Sequence, residues 1–215
     1  MGVRLICLGV GYCLGLFQTS YILGKLHGID IRNYGSGNAG TTNMMRTMGT
    51  KAGLLTFAGD CLKCVLAIVL VCLFLGKSHE EMLPLLKMYA ATGVILGHNF
   101  PFYLNFRGGK GIAATAGLVI SFDWIMLILG VITFFGTFFA THYVSLGSLL
   151  VYAGIMIEVL VLGQMGHFHM AQPLLNELYV LTAFLTIMAY WKHRTNIKRL
   201  LNGTERKTYL SSKHS

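Results

Sequence analysis

Charge is scarce in this chain. Asp, Glu, Lys and Arg make up only 12% of its 215 residues, against about 25% in an average soluble domain. Acidic residues are scarcer still, with 8 Asp and Glu against 17 Lys and Arg, for a formal charge of +9. Together with 54% hydrophobic residues, this excludes a disordered chain and an ordinary soluble domain. Proline occurs 3 times and no Gly-x-y period is present, so 26 glycines do not make a collagen-like rod. The cysteines (Cys7, Cys13, Cys61, Cys64 and Cys72) all lie in apolar runs, and nothing indicates a disulfide framework. Cys61 and Cys64 form a C-x-x-C without a second ligand pair, which favours packing over zinc or redox work.

What the chain does have is apolar runs of membrane length, about 20 residues each. The spans read as 5–24, 52–75, 84–104, 143–163 and 174–191, plus a long stretch interrupted by Asp123 that divides into 112–121 and 124–141. The 112–121 piece reaches only about half way across at about 1.5 Å per residue, so neighbouring helices or a polar cavity must shield it. Arg4 before the first run resembles a signal peptide, but the run is too long and no Ala-x-Ala-like site follows. Gly11 and Gly15 make a Gly-xxx-Gly pair suited to close helix packing.

The basic residues decide orientation. Of the 17 Lys and Arg, 13 fall around the first loop, the loop holding Arg107 and Lys110, and the tail from 192 to 215. The positive-inside rule puts all three on the cytoplasmic side. An even number of crossings must then separate the Lys110 loop from the tail. The expectation is an all-α membrane protein: one domain over 1–215, a seven-transmembrane-helix bundle, N-terminus outside and C-terminus cytoplasmic. Such placement of charge argues for membrane lipid and anionic substrates and against nucleic acid.

The first basic loop carries Gly35, Ser36, Gly37, Asn38, Gly40, Thr41, Thr42 and Asn43, followed by Arg46. Its glycines would let successive backbone N–H groups converge on an anion, with hydroxyls, amides and a guanidinium adding donors. A plain polar turn would need fewer of these residues. The second loop contains His98-Asn99-Phe100-Pro101 and then Gly108-Gly109-Lys110-Gly111. It is not a Walker loop, because Leu104 stands where that pattern needs Gly and Gly111 where it needs Ser or Thr. A flexible backbone around one ammonium at a helix start remains, another anion site, unless Lys110 is simply a positive-inside anchor. In the tail, His193 and Asn196 lie three apart and could face one partner, while the basic helix also suits lipid headgroups. Three donor-rich loops on one side favour a phosphate-bearing substrate. Within the membrane, Asp60 and Lys63 are one turn apart and can neutralise each other, a structural pair. Glu158 has no evident partner.

In these three stretches, taken in order through Gly203-Thr204-Glu205, the chain resembles the PlsY family of bacterial acyl-phosphate:glycerol-3-phosphate acyltransferases. The resemblance implies transfer of an acyl group from acyl phosphate to the 1-hydroxyl of glycerol 3-phosphate, the first step of phospholipid synthesis. It implies a multi-pass protein of the bacterial cell membrane, the inner membrane in a Gram-negative host, with no cofactor and no metal. An acyl-phosphate-forming enzyme at the membrane surface is the implied partner. Ser36, Arg46, Lys110, His193 and Asn196 would line the polar pocket, the glycines of both loops would hold phosphates, Ser145 would be a further contact, and Glu205 a structural tie. Two positions depart from the family pattern: Ala114 replaces a usual Thr, and Cys64 a frequent Gly.

No His has an Asp five places on, the spacing of soluble-donor glycerophosphate acyltransferases, nor is an acyl-enzyme nucleophile apparent. Acyl phosphate is already activated, so catalysis by positioning and charge neutralisation is expected, with a substrate phosphate oxygen taking the hydroxyl proton. The alternative function is a transporter or channel for small phosphorylated metabolites, which would normally show a midplane site and inverted repeats.

Overall fold

The computed structural model describes residues 1–209; residues 210–215, including Lys213 of the basic tail, lie outside the described residues. Regular structure among the described residues is helical. The chain divides into two compact units, Met1–Phe122 and Asp123–Ser215.

The first unit begins with α1 (Gly2–Gly15) and α2 (Thr19–Leu26), continues through α3 (Thr41–Met48), α4 (Thr50–Leu75) and α5 (Leu83–Asn99), and ends with α6 (Ile112–Phe122). α1 packs on α5 through reciprocal glycines. A Cβ on Gly11 or Gly15 would strike the backbone of Ala90 or Val94, and one on Gly93 or Gly97 would strike the backbone of Leu8 or Tyr12. The Gly-xxx-Gly expected on α1 therefore meets a second one, Gly93-xxx-Gly97, on α5. α6 is shielded as its length requires, with Ala114 and Leu118 fully buried and Gly117 against Cys61 and Cys64 of α4. The cysteines are free, and Cys7, Cys61 and Cys64 are buried.

The expected single helix over 5–24 is broken. Residues 16–18 leave the helix between α1 and α2, and polar side chains take up the released carbonyls. Lys63 Nζ donates to Phe17 at 2.7 Å, Tyr103 Oη to Leu16 at 2.7 Å, and Gln18 Nε2 to Gly15 at 3.2 Å. A break in lipid requires such partners. Asp60 Oδ1 holds Lys63 from below at 2.8 Å and accepts from Thr19 Oγ1 at 3.1 Å. The third span also stops early, at Asn99 rather than 104. Pro101 disfavours helical backbone at Phe100, and Phe102–Leu104 form a short 3-10 turn. The other prolines stand in the opening turns of helices.

The second unit holds α7 (Trp124–Thr141), α8 (Val144–Gln164), α9 (Gln172–Lys192) and α10 (Arg194–Leu201). Asp123 starts α7 by accepting from Ile125 N at 2.9 Å, which explains the interruption in the apolar stretch. Asp123 also receives His167 Nε2 at 2.7 Å, so the Met/His-rich 163–172 segment is tied down by its histidine.

Five segments are long and apolar enough to cross a membrane: Gly2–Leu26, Thr50–Leu75, Trp124–Thr141, Val144–Gln164 and Gln172–Lys192. α5 has 17 residues and α6 has 11. Exposed Leu62, Leu66, Leu73 and Phe74 on α4, and Val180, Phe184 and Ile187 on α9, give the apolar outer faces that lipid would cover.

Candidate active site

In the first unit the two glycine loops meet. Gly109 of the second loop lies beside the carbonyl of Ala39, 2.9 Å from where a Gly109 Cβ would stand. Gly40, the next residue, precedes α3, and the second loop runs into α6. Each loop thus ends at a helix N-terminus, where first-turn N–H groups have no helical acceptor.

The inside of each loop is built from its own polar groups. Asn43 is buried and fully engaged: its Oδ1 accepts from Ser36 N at 2.8 Å, and its Nδ2 donates to Tyr34 at 3.0 Å and Ile31 at 3.2 Å. Gly35 has φ of 60° and sits where a Cβ would collide with that same Oδ1. The amides of Gly37 and Gly40 bond to Tyr34 and Asn38, and those of Gly108 and Gly109 to Asn99 and His98. The sequence suggested these glycine amides as phosphate donors. In this conformation the amides of Ser36, Gly37, Gly40, Gly108 and Gly109 bond within the loops, and Asn43 braces the first of them. Gly111, with φ of 81°, turns the chain into α6.

Groups that face outward are fewer. Ser36 and Gly37 are exposed, Asn38 is half-buried, and Arg46 is exposed in the last turn of α3. Among the described residues, Thr41 Oγ1 is buried without a hydrogen-bond partner. Lys110 is half-buried, two residues before α6. Arg32, the other arginine near the first loop, has a different task. It pairs with Asp30 at 2.7 Å, donates to the Leu104 carbonyl at 3.1 Å and stacks over Tyr21. Hydrogen bonding from Arg32 holds the Asp30 carboxyl at about 2, below its ordinary 3.8, and raises the guanidinium in turn. Arg32 thereby clasps the first loop to the Phe102–Leu104 turn. The Asp30-x-Arg32 spacing was the sequence signal for this clasp; Gln18 and Tyr103 offered only isolated polar groups beside apolar runs.

In the second unit the tail folds back on α8. Glu205 Oε1 accepts from Asn196 Nδ2 at 2.6 Å and Ser145 Oγ at 2.9 Å, while Oε2 accepts from Arg199 Nε at 2.6 Å. Burial alone would push this carboxyl up, but these three donors outweigh it and hold it below its ordinary 4.5. Glu205 thus links Ser145 at the start of α8 to Asn196 and Arg199 of α10. His193 is buried and its Nδ1 lies 2.8 Å from the Ala189 carbonyl, which can only accept. The proton is therefore on Nδ1, leaving Nε2 as the ring's other functional edge. Among the described residues no group of three or more His, Cys, Asp and Glu is placed to hold a metal ion.

Apolar helices with lipid-facing sides define a helical membrane protein, and two glycine loops abut within its first unit. The family model for glycerol-3-phosphate acyltransferase matches residues 5–203, across both units. The glycerol-3-phosphate acyltransferase of Clostridioides difficile (strain 630) is 40% identical over 200 residues, 92% of each chain. That of Alkaliphilus metalliredigens (strain QYMF) is 37% identical over 206 residues, covering 95% of this chain and 96% of its own. The fold matches PlsY, an integral membrane glycerol 3-phosphate acyltransferase, in its glycerol 3-phosphate form, with a TM-score of 0.82, 28% identity and 96% of each chain covered. It also matches the lysophosphatidic acid form, with a TM-score of 0.79 and 27% identity over 96% of this chain and 95% of that one. The chain belongs to the glycerol-3-phosphate acyltransferase (PlsY) family, and it is a multi-pass membrane protein.

Proposed function

We propose that this protein transfers an acyl group from acyl phosphate to the 1-hydroxyl of sn-glycerol 3-phosphate. The hydroxyl oxygen attacks the acyl carbon and the bond to the phosphate oxygen breaks. The hydroxyl proton passes to a substrate phosphate oxygen, giving 1-acylglycerol 3-phosphate (lysophosphatidic acid) and inorganic phosphate. The meeting of the two glycine loops at Ala39 and Gly109 carries this reading, because it brings the N-termini of α3 and α6 into one neighbourhood. Arg46 and Lys110 offset phosphate charge, and Ser36, Asn38, Thr41 and the first-turn amides of α3 and α6 orient it. By resemblance, His193 and Asn196 serve the same reaction, with His193 Nε2 orienting a hydroxyl rather than acting as the single base. The whole chain works as one acyltransferase domain in the bacterial cell membrane, supplied by an acyl-phosphate-forming enzyme at its surface.

The topology proposed with this activity has seven crossings, N-terminus outside and C-terminus cytoplasmic. α5 and α6 complete the count; α5 reaches about 25 Å at 1.5 Å per residue. A carrier is less well supported. The one broken span among the described residues has its carbonyls at Gly15, Leu16 and Phe17 filled by Gln18, Tyr103 and Lys63, not presented to a solute. Donor choice tests the proposal: the purified protein should form lysophosphatidic acid from palmitoyl phosphate and not from palmitoyl-CoA. Turnover of the thioester alone would overturn it.

A further inference from the structure

Beneath the second glycine loop lies a buried polar cluster that acyl transfer leaves without a task. Asp60 and Lys63 on α4 pair at 2.8 Å, with side chains only 1% and 5% exposed. Mutual neutralisation would need nothing more. Lys63 Nζ nevertheless also lies 3.0 Å from Nδ1 of His98, at the end of α5. The same Nδ1 faces Asp60 Oδ1 at 3.6 Å, beyond hydrogen-bond distance, so the Lys63 contact is the closer one; an ammonium has only donors, and His98 Nδ1 accepts from it. The imidazole is then neutral and carries its proton on Nε2.

That Nε2 edge lies against Gly109, where a Cβ would strike it, with the Ala39 carbonyl beside the same point. The backbone of His98 holds the same glycine, its carbonyl accepting from Gly109 N at 3.1 Å and from Gln18 Nε2 at 3.1 Å. One buried imidazole therefore sits where the two loops join, against Gly109, the residue before Lys110.

We propose that Asp60, Lys63 and His98 form a positioning relay: the Asp60-anchored ammonium fixes the His98 tautomer, and the ring holds Gly109 and Lys110 in register with the first loop. The proposal rests on the acyl-transfer reading, since it gives these residues a part in turnover without contact with substrate. It differs from a simple ion pair in one consequence. Removing both charges together abolishes the burial penalty of either alone but leaves both His98 and the Phe17 carbonyl without the ammonium donor.

The test is the double variant Asp60→Asn/Lys63→Met in the full-length protein, with kcat/KM for glycerol 3-phosphate and the thermal midpoint measured together. The relay predicts a loss on the order of tenfold to a hundredfold in kcat/KM, the scale of a misplaced loop, together with a lowered midpoint, because the Phe17 carbonyl loses its donor as well. Wild-type kcat/KM in a folded double variant would overturn the relay. Nitrogen NMR of ring-labelled histidine in the wild type, assigned with His98→Asn, gives a readout independent of turnover and of that variant's folding. An Nε2–H tautomer at His98 supports the relay; an Nδ1–H or doubly protonated ring overturns it. A wild type that does not turn over palmitoyl phosphate would sink the acyl-transfer reading, while the NMR result would still judge the relay.

Discussion

The Glu205 carboxylate accepts a hydrogen bond from the Ser145 hydroxyl at 2.9 Å, tying the chain beyond α10 to the first turn of α8. The same oxygen takes the Asn196 amide at 2.6 Å. Glu205→Ala leaves two buried polar groups unpaired, and the expected cost is roughly 1–3 kcal/mol, with little added by the half-exposed Arg199. Thermal unfolding in detergent measures it. Glu205→Ala and wild type with equal midpoints at neutral pH would contradict the tie.

The pH dependence of that tie has a definite sign. The folded carboxyl is held below its ordinary 4.5 by Arg199, Asn196 and Ser145 despite burial. Its stabilisation is therefore full above the unfolded value and is lost as pH falls through the depressed folded value. The gap in thermal midpoint between wild type and Glu205→Gln should be constant from neutral pH down to the ordinary carboxyl range and close below it. A gap that opened on acidification would have the wrong sign.

Arg46 and Arg32 stand near the same loop and should behave oppositely. Arg46 is exposed, so Arg46→Ala should lower kcat/KM by about a hundredfold or more, the scale of losing a charge-stabilising donor. Arg32 is engaged with Asp30 and the Leu104 carbonyl. Arg32→Lys cannot reproduce that planar fork, and protease sensitivity between residues 27 and 40 should rise. Equal effects of the two substitutions on both readouts would refute the division of labour.

The glycine crossing of α1 and α5 is testable with an internal control. Gly15→Leu drives a side chain into the Val94 backbone, which no rotamer relieves, whereas a Cβ on Gly9 meets nothing within 4 Å. Gly15→Leu should destabilise by at least about 1–3 kcal/mol, the cost of overpacking, and Gly9→Leu by far less. Comparable melting of the two variants would contradict the crossing.

His193 is expected to orient rather than to act as the single base. His193→Gln retains a polar side chain and should lower kcat about tenfold to a hundredfold, while wild-type kcat/KM shows no single titration near about 6.5, the ordinary imidazole value. Abolished turnover with intact binding, together with one titration in that range, would assign His193 as the base.

Membrane helices were legible because about 20 apolar residues in a row have few other fates. The stop at Asn99 could be traced to Pro101, and Asp123 marked the start of α7. The break at residues 16–18 was not legible, since a hydropathy run averages over a short gap. What permits the gap is Lys63, far away in sequence, donating to Phe17. Likewise, the sequence placed glycines in both loops but could not show which way their amides point. Gly108 and Gly109 bond inward to Asn99 and His98, and only the folded chain reveals that direction. His98 opens the His98-Asn99-Phe100-Pro101 stretch, yet its link to Lys63 depends on the contact between α4 and α5.

Acyl transfer from acyl phosphate is tested most directly by following both products in one reaction. Purified protein in lipid nanodiscs would receive palmitoyl phosphate carrying labelled phosphate, together with sn-glycerol 3-phosphate. The expected result is one inorganic phosphate released per lysophosphatidic acid formed, with neither product when either substrate is omitted. Phosphate release without glycerol 3-phosphate, or flux of glycerol 3-phosphate across proteoliposomes without lysophosphatidic acid, would contradict it.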